Sequence, residues 1–447
     1  MNKLDTALVS AALGKAGFTP VDSTQEADVV LINTCSVREH AEQRVLSHLG
    51  HLKHIKENRP DLVVGVIGCM AQRLGQELLE HEVVDIVCGP AQIPQIVGLV
   101  QERLQKNEKT LAVTENIRKE GLDNKELEEF ESVYDIANKE MPGQAYVRVM
   151  RGCNNFCSYC VVPYVRGPEV SRTPAAIIKQ IKKLADEGVK LVTLLGQMVN
   201  AYKYITGQKI YSLADLLYMA SEVEGIELIR FVTSYPAQKF YDEILKAMAD
   251  LPKVCNYLHM PAQSGSDKIL QAMNRHYTAA EYLQLLARAK DIVPDIALSS
   301  DFMVGFPGET EEDFEATVDL VKKAQYKNCF IFKYSPRPDT VADKKLQDDI
   351  PQEVKKKRNI KLLAIQEKIS AELSKQFLGK TVTVLVEGPS KKPHLDSAKN
   401  GYPQLVGRTA TNWIVVFNGP ENLAGQFAKV KITKSSPLTL FGKLGPV

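Results

Sequence analysis

Three cysteines lie within eight positions of one another in the stretch RGCNNFCSYCVVPYVRG, residues 151–167. Cys153, Cys157 and Cys160 have the spacing C-x3-C-x2-C, whereas four cysteines would suit a closed zinc site and two a redox pair. Thiolates are the ligands of iron-sulfur clusters, and three of them leave one iron of a four-iron cluster open. Such an iron can bind S-adenosylmethionine and pass an electron to its sulfonium, which generates an adenosyl radical. The alternatives are a zinc site with a distant fourth ligand and unrelated core cysteines.

Three further cysteines follow apolar runs in the N-terminal part of the chain. Cys35, Cys69 and Cys88 stand at or near the ends of Val/Ile-rich runs at residues 29–32, 63–67 and 83–87. Such runs, separated by helix-length segments, predict an open parallel-sheet α/β domain covered on both faces. The carboxyl edge of that kind of sheet is where ligands bind. Taken one at a time, each of these cysteines is more typical of a small buried apolar residue.

The middle of the chain repeats a strand followed by a helix six times. The predicted strands are 146–149, 191–195, 228–233, 257–260, 297–304 and 329–334, and helical periodicity marks 175–187, 279–291 and 311–324. Six such units predict an incomplete (β/α)6 barrel, whose C-terminal face carries the chemistry. The three-cysteine motif follows the first of these strands.

An acidic segment precedes this barrel, and a basic module follows it. Residues 120–140 contain eight acids and two lysines with little periodicity, which predicts a solvated linker or a loosely packed helix. After a Lys-rich helical connection at 351–377, short alternating strands predict a small five-stranded β-barrel of oligonucleotide-binding type. The sole tryptophan, Trp413, is better explained as a core residue of this barrel than as a base-stacking one.

Charge is unevenly divided along the chain. From Lys380 to the end there are nine Lys or Arg and three acids, a balance of 9 − 3 = +6, so that the rest of the chain carries 2 − 6 = −4. A basic module on a mildly acidic body is typical of a polyanion-binding appendage, although a solvated domain with surplus lysines has the same composition.

Length and composition limit the class of protein. A chain of 447 residues with 44% hydrophobic residues predicts two or three domains, each with its own core. No run reaches the length of a membrane span, and the N-terminus lacks the pattern of a signal peptide, so we expect a cytoplasmic protein that binds no membrane. Eight cysteines in such a chain favour metal binding or catalysis over disulfides.

Several motifs resemble one known family. The stretch around Cys153, Cys157 and Cys160 matches the radical S-adenosylmethionine (SAM) superfamily and is similar to the MiaB branch of the methylthiotransferases. Further matches along the chain are NTCSVREHAEQR, GCMAQR, LLGQMVNAY, MPAQSGS, DFMVGFPGETEEDF and YSPRPDT. The resemblance implies a methylthiotransferase N-terminal domain with an auxiliary cluster at 1–118, an acidic linker at 119–142, a radical SAM domain at 143–375 and a TRAM domain at 376–443.

The reaction that the resemblance implies is methylthiolation of carbon 2 of isopentenyladenosine beside the anticodon of tRNA. SAM would serve as the methyl donor and as the radical source, and a second iron-sulfur cluster would carry the sulfur. The implied partners are the tRNA anticodon loop, an electron donor such as flavodoxin and a sulfur donor, and we expect a monomer. We assign no catalytic side chain, because the cofactor performs the difficult step.

The resemblance also suggests where the cofactors bind. Gly196, Gln197 and Asn200 occupy the place where the superfamily contacts the methionine end of SAM, although a tight polar turn would use the same residues. Gly305 and Gly308 would allow close approach to the adenosyl group or would form a strand-to-helix turn. Arg148, Arg151, Arg166 and Arg172 flank the cluster loop and are candidates for contacts with anticodon-loop phosphates.

The auxiliary cluster is where the sequence departs from the family. Cys35 and Cys69 match two of its three ligands, but the third belongs to a strand ending in Gly-Cys-Gln-Met-Asn, and this sequence begins at Met1-Asn2 of that pattern, with a predicted helix at 4–16. We therefore expect that the reading frame continues upstream, or that Cys88 or a non-protein ligand substitutes. Cys88 follows a continuous apolar run and is more typical of the core.

Two other functions remain open at this point. A methylthiotransferase acting on a ribosomal protein shares the cluster motif, although CVVPYVRG and LLGQMVNAY favour tRNA as the substrate. A non-catalytic iron-sulfur RNA-binding protein would also need a cluster and a basic barrel. Reductive cleavage of SAM separates an enzyme from a binding protein, and nucleoside analysis of tRNA separates the two substrates.

Overall fold

A computed structural model describes residues 1–36, 39–120, 124–134, 141–232, 234–237, 241–391 and 401–445. Parts of the predicted acidic linker (121–123 and 135–140), residue 233 of one predicted strand and residues 392–400 of the basic module lie outside the described residues. In the described part of the chain, no helix has the length and apolar character needed to cross a membrane.

Strands and helices alternate over most of the chain. The strands are β1 Val29–Thr34, β2 Val63–Gly68, β3 Ile86–Cys88, β4 Thr110–Ala112, β5 Gln144–Arg148, β6 Met150–Arg151, β7 Val170–Ser171, β8 Leu191–Leu195, β9 Lys203–Thr206, β10 Lys209–Ser212, β11 Leu228–Val232, β12 Tyr257–His259, β13 Ala297–Val304, β14 Asn328–Lys333, β15 Thr381–Pro389, β16 Gln404–Arg408, β17 Ile414–Asn418, β18 Phe427–Ser435 and β19 Thr439–Leu444.

The helices are α1 Asn2–Lys15, α2 Glu39–Asn58, α3 Cys69–Leu74, α4 Gln76–Leu79, α5 Ile96–Lys106, α6 Ile117–Glu120, α7 Asn124–Glu131, α8 Val162–Val165, α9 Pro174–Asp186, α10 Leu213–Ser221, α11 Tyr241–Asp250, α12 Asp267–Ala272, α13 Ala279–Ile292, α14 Glu311–Ala324, α15 Val341–Lys345 and α16 Gln352–Lys375. They belong to two compact units, of which the first comprises Met1–Asn138, Met150–Phe156 and Cys160–Arg172, and the second Lys139–Val149, Cys157–Tyr159 and Thr173–Val447.

The first unit contains an open parallel sheet with the strand order β1-β2-β3-β4. Its central strand β2 is buried along its whole length, as its continuous apolar run predicts. The register pairs Thr34 with Gly68, so that Cys35 and Cys69 follow directly at the same carboxyl edge of the sheet. The predicted strand at 83–87 is shorter in the structure, because the backbone of Val84 donates to His81 in a turn before β3 begins.

Helix α7 corrects the expectation of a solvated acidic segment. Leu127, Phe130, Glu131 and Tyr134 recur at helical spacing and are all buried. This spacing places the apolar groups on one face, while Glu126, Glu128 and Glu129 occupy other positions. The structure thus has the helix alternative rather than the solvated linker, and the helix packs through a narrow buried stripe that the many acids of the segment hid.

The second unit contains the predicted (β/α)6 arrangement. Parallel strands run in the orders β5-β8-β11 and β12-β13-β14, and a parallel bridge joins Ile229 to Val254 between the two sheets. Successive strands along the chain are therefore neighbours, as in a βα barrel. The fold class predicted from periodicity is confirmed here.

The C-terminal strands form a closed barrel in the order β15-β16-β17-β19-β18, which confirms the predicted five-stranded barrel. Trp413 is 2% exposed, and its ring lies 5.3 Å from that of Phe377, measured between centroids. The indole is therefore a core residue of the barrel, in agreement with the sequence, and stacking on an RNA base is ruled out for it.

Candidate iron-sulfur and cofactor site

Two backbone segments lie very close together at the start of the three-cysteine motif. Strands β6 and β7 pair antiparallel on either side of it, and the amide of Cys153 donates to the carbonyl of Gly167 at 3.1 Å. Between them Gly152 has φ +73°, and a Cβ there would lie 1.8 Å from the carbonyl oxygen of Pro168. Only glycine fits this position, so the backbone that carries Cys153 is fixed by local geometry.

Hydrogen bonds to distant segments hold the middle of the motif, which belongs to the second unit. The Ser158 amide donates to the carbonyl of Met273 at 3.0 Å, and its hydroxyl donates to that of Ala272 at 2.8 Å. The Ser158 carbonyl in turn accepts from the amide of Ala342 at 2.7 Å. These bonds fix the backbone next to Cys157.

A buried arginine that sequence reasoning missed lies beside Cys157. A guanidinium nitrogen of Arg275 is 3.5 Å from the Cys157 Sγ, and another donates to the carbonyl of Pro261 at 2.7 Å. The rings of Tyr235 and Tyr277 lie 4.4 and 5.1 Å from the guanidinium carbon. Burial disfavours the charge, but the tyrosines and Cys157 outweigh it and hold the pKa of Arg275 above its ordinary value. This is a cation suited to an anionic sulfur ligand.

The three motif cysteines fit an iron-sulfur cluster by donor type. All are half-buried thiols rather than disulfides, and a buried cation lies beside one of them. Across the described ranges, no group of three or more Cys, His, Asp and Glu side chains is arranged to hold a metal ion. Cys153, Cys157 and Cys160 therefore stay predicted ligands, on chemistry and spacing.

A second buried arginine lies beside the predicted auxiliary ligand Cys69. The Arg166 Nε donates to the Cys69 Sγ at 3.1 Å, and the same guanidinium donates to the Asp5 carboxylate at 2.8 Å. Burial opposes the charge, but Asp5 and Cys69 outweigh it and raise the pKa of Arg166. Cys69 also packs with Val161 and Val165, so it is buried among residues of the motif's second half.

The four arginines around the motif are not arranged for phosphate binding, contrary to our expectation. Arg148, Arg151, Arg166 and Arg172 are each less than 9% exposed. Arg166 pairs with Asp5 as described, both Glu128 oxygens accept from Arg172 at 2.8–2.9 Å, and Arg151 lies 3.8 Å from Glu131. The acidic partners of Arg151, Arg166 and Arg172 come from α1 and α7, a pairing that no sequence pattern indicated.

The predicted SAM-contacting residues follow β8 and differ in their surroundings. Gly196 and Asn200 are buried, and both ends of the Asn200 amide bond the backbone of Tyr235, at 2.7 and 2.9 Å. The Gln197 side-chain oxygen is buried and has no hydrogen-bond partner among the described residues. An orphan acceptor suits the amino group of a bound methionine moiety. Asn200, by contrast, holds the loop that follows β11.

The GFPGET segment forms a strand-to-helix turn. The Thr310 hydroxyl accepts from the Asp313 amide and caps α14. Gly305 has φ +71°, and a Cβ there would lie 2.3 Å from the side chain of the buried Lys355. The glycine is thus required by packing against α16, which favours the turn alternative of the two that the sequence left open.

Cys88 has the surroundings of a core residue. It is 0% exposed, and burial raises the pKa of its thiol to about 12, so that the thiolate needed for iron is disfavoured. The structure thus supports the core interpretation over a ligand role.

Comparisons with known proteins agree with this architecture. Residues 1–89 match the model described as Uncharacterized protein family UPF0004, residues 147–321 match the Radical SAM superfamily, and residues 375–444 match the TRAM domain. Among solved structures, the radical S-adenosylmethionine methyltransferase TsrM from Kitasatospora setae has a TM-score of 0.53 and 15% identity, covering 74% of this chain and 70% of that one. The fold and the motif together define a radical SAM protein with an appended TRAM barrel.

Relatives that align over nearly the whole chain show which radical SAM family this is. The tRNA-2-methylthio-N(6)-dimethylallyladenosine synthase of Rhodopirellula baltica is 42% identical over 100% of this chain and 94% of the relative. Those of Carboxydothermus hydrogenoformans and Aquifex aeolicus are each 41% identical over 99% of this chain, covering 97% and 96% of the relatives. The chain belongs to the family of tRNA-2-methylthio-N(6)-dimethylallyladenosine synthases, radical SAM enzymes that depend on an iron-sulfur cluster and SAM.

Proposed function

We propose that this protein transfers a methylthio group to carbon 2 of N6-dimethylallyladenosine in the anticodon loop of tRNA. The observation that carries this function is identity of about 40% to the synthases over nearly the whole of both chains. SAM serves as the methyl donor and as the source of the radical that removes the hydrogen from carbon 2. Neither a ribosomal-protein substrate nor a non-catalytic role has an observation in its favour.

Cys153, Cys157 and Cys160 are the proposed ligands of the radical cluster. When bound, this cluster supplies the electron that cleaves SAM. Arg275 offers a hydrogen bond and a fixed positive charge to Cys157, which suits an anionic ligand of iron. In this proposal Gly196 and Gln197 contact SAM, whose amino group donates to the Gln197 side-chain oxygen, and Asn200 holds the loop after β11 in place.

Cys35 and Cys69 are the proposed protein ligands of an auxiliary cluster that carries the sulfur. Their places at one sheet edge support this role, and Arg166 provides the positive charge that a thiolate at Cys69 requires. The domain limits we propose are 1–118, 119–142, 143–375 and 376–443. A flavodoxin-like electron donor, a sulfur donor, a monomeric state and a cytoplasmic location complete the proposal.

The tRNA backbone is bound, in this proposal, by a lysine strip on the C-terminal barrel, formed by Lys429, Lys431 and Lys443. Lys431 pairs with Lys443 across β18 and β19, Lys429 is two residues away along β18, and all three are exposed. Like charges directly opposite one another destabilise a sheet, so such a pair is costly unless an anion lies against it. Phosphates of RNA are anions of this kind.

Nucleoside analysis tests the function. In a strain lacking the gene, tRNA should contain N6-dimethylallyladenosine without its 2-methylthio derivative, and the restored gene should return the derivative. A Cys157→Ala gene is the matched control and should not return it. Normal 2-methylthio content in the deletion strain would refute the proposed substrate.

A further inference from the structure

A row of polar and aromatic side chains occupies one face of the sheet β12-β13-β14. The parallel register pairs His259 with Ser299 and Asp301 with Phe330. The alternate residues belong to the opposite face: the Phe302 ring packs against Tyr326, and Cys329 donates to Gln366 of α16. The row therefore lies on the face that is turned away from α16.

Hydrogen bonds order the polar part of this row. The Tyr257 and Ser299 hydroxyls are 2.7 Å apart, and the Ser299 hydroxyl is 2.7 Å from Nδ1 of His259. The Nε2 of His259 lies 3.4 Å from a carboxylate oxygen of Asp301. Ser299 is fully buried, whereas the side chains of His259 and Asp301 retain 14% and 27% of their exposure. The His259 imidazole, as a donor, and the Asp301 carboxylate, as an acceptor, are thus held in fixed positions and remain partly exposed.

Phe330 is the aromatic member of the row and is 49% exposed. Its ring lies 6.1 Å from that of His259 at an interplanar angle of 68°, so the two rings are in edge-to-face contact. Strands of parallel sheets in α/β domains are normally covered on both faces, so a half-exposed phenylalanine there needs an explanation. An open aromatic ring beside a fixed donor and acceptor is the arrangement that stacks and reads a nucleobase.

The row lies near the candidate radical site. His259 is the last residue of β12, and the carbonyl of Pro261, two residues further on, accepts from Arg275. The same guanidinium reaches the Cys157 Sγ. The carboxyl end of β12 is therefore linked through one side chain to a predicted cluster ligand, which is where the target base of a radical enzyme has to lie.

We propose that Phe330, His259 and Asp301 form the seat of the adenine ring of the target nucleoside, an inference that rests on the proposed function. An adenine with one N6 substituent keeps one N6–H donor and its ring-nitrogen acceptors. The Asp301 carboxylate accepts from N6–H, and the adenine ring stacks on Phe330. His259 donates from its Nε2–H to a ring nitrogen of the adenine, in the tautomer whose Nδ1 accepts from the Ser299 hydroxyl. Truncating the stacking ring should weaken binding of the base about tenfold or more.

The test compares two anticodon stem-loop RNAs that differ at one position, with N6-dimethylallyladenosine in one and an abasic site in the other. Their affinities are measured for the reconstituted full-length protein and for the variants Phe330→Ala, Phe330→Tyr and Asp301→Ala, the last of which removes both side-chain acceptor oxygens. Leu363→Ala, which truncates another exposed apolar side chain of 43% exposure, is the matched control. Reductive SAM cleavage without RNA monitors the integrity of each variant.

If these residues form the seat, Phe330→Ala and Asp301→Ala should lose the preference for the base-containing RNA while their affinity for the abasic RNA is unchanged. Phe330→Tyr and Leu363→Ala should keep that preference. A base preference that survives Phe330→Ala overturns the seat, and so does an equal loss for both RNAs. If the unaltered protein forms no methylthio product on tRNA, the proposed function itself fails, so the two failures are distinguishable.

Discussion

At the scale of single residues, buried arginines set the charge around the candidate ligands. Arg166 and Arg275 both reach cysteine sulfur atoms, and Arg166 also pairs with the Asp5 carboxylate at 2.8 Å. A guanidinium keeps its charge when buried, because its pKa is far above neutral pH. These side chains therefore provide permanent positive charge beside the cysteines that we propose as iron ligands.

The Arg166–Asp5 pair gives the first prediction. Arg166→Met should lower the free energy of unfolding of the metal-free protein by about 3–5 kcal/mol, because it leaves the Asp5 carboxylate buried without its cation. Urea denaturation measures the loss. Adding Asp5→Leu should recover much of it, and Arg44→Met at an exposed position should change it by less than about 0.5 kcal/mol. An Arg166→Met protein as stable as the parent contradicts the role of this pair.

The motif cysteines give the second prediction. Replacing Cys153, Cys157 or Cys160 with Ala removes a proposed iron ligand and should abolish 5′-deoxyadenosine formation after anaerobic reconstitution and reduction, while the circular dichroism spectrum persists. Cys88→Ala is the control, since its thiol is fully buried, and should retain the iron content and the product. Undiminished 5′-deoxyadenosine in any of the three variants would overturn the assignment.

At the scale of elements, the lysine strip on β18 and β19 gives the third prediction. Changing Lys429, Lys431 and Lys443 together to Gln should weaken tRNA binding and reduce the slope of log affinity against log salt by about 2–3, one for each lost phosphate contact. Stability should not fall, because the variant removes a like-charge pair. The control changes three exposed lysines outside the barrel to Gln, namely Lys322, Lys323 and Lys368. An unchanged slope would mean that the strip is only a solvated surface.

A buried lysine before β14 gives the fourth prediction. The Lys327 ammonium donates to the carbonyl of Asn412 at 2.5 Å, and burial, with Arg408 and Arg230 nearby, lowers its pKa to about 7. Between pH 7 and the ordinary value of 10.5, the unfolded chain binds a proton that the folded chain does not, so stability should rise with pH by up to about 1.4 kcal/mol per unit.

Urea denaturation between pH 7 and pH 9 measures this rise. The variant Lys327→Met should lose this part of the pH dependence, whereas Lys333→Met, at an exposed lysine of the same strand region, should retain it. An identical pH profile in the parent and Lys327→Met would show that Lys327 stays protonated in the folded protein.

At the scale of the whole molecule, we expect the C-terminal barrel to contribute to tRNA binding and not to SAM cleavage. Deleting residues 376–447 should weaken tRNA binding and flatten its salt dependence, because the +6 balance from Lys380 onward is lost. SAM cleavage should survive, since the proposed cluster ligands lie outside the deleted residues. Filter binding across a salt titration and 5′-deoxyadenosine assays decide the matter, and an unchanged affinity at every salt concentration contradicts this role.

Much of the fold could be predicted from the sequence. Strands at 191–195 and 297–304 and the helix at 311–324 have the same bounds in the structure, because apolar periodicity and capping residues act over a few neighbouring positions. The three-cysteine spacing and the five-stranded barrel are also local patterns. Acid content left a linker and a helix both open for the segment of α7, because the buried positions within that helix, Leu127, Phe130 and Glu131, are few.

The site depends more on tertiary structure. Sequence alone determined where along the chain the residue types suited to iron and RNA binding occur. Only the fold decided that Arg166 pairs with Asp5, which is 161 residues away along the chain. It also decided that Asn200 bonds the backbone of Tyr235 and that Phe330 remains exposed beside His259. A spacing pattern records neighbours along the chain, whereas burial and charge pairing depend on segments that meet only when the chain folds.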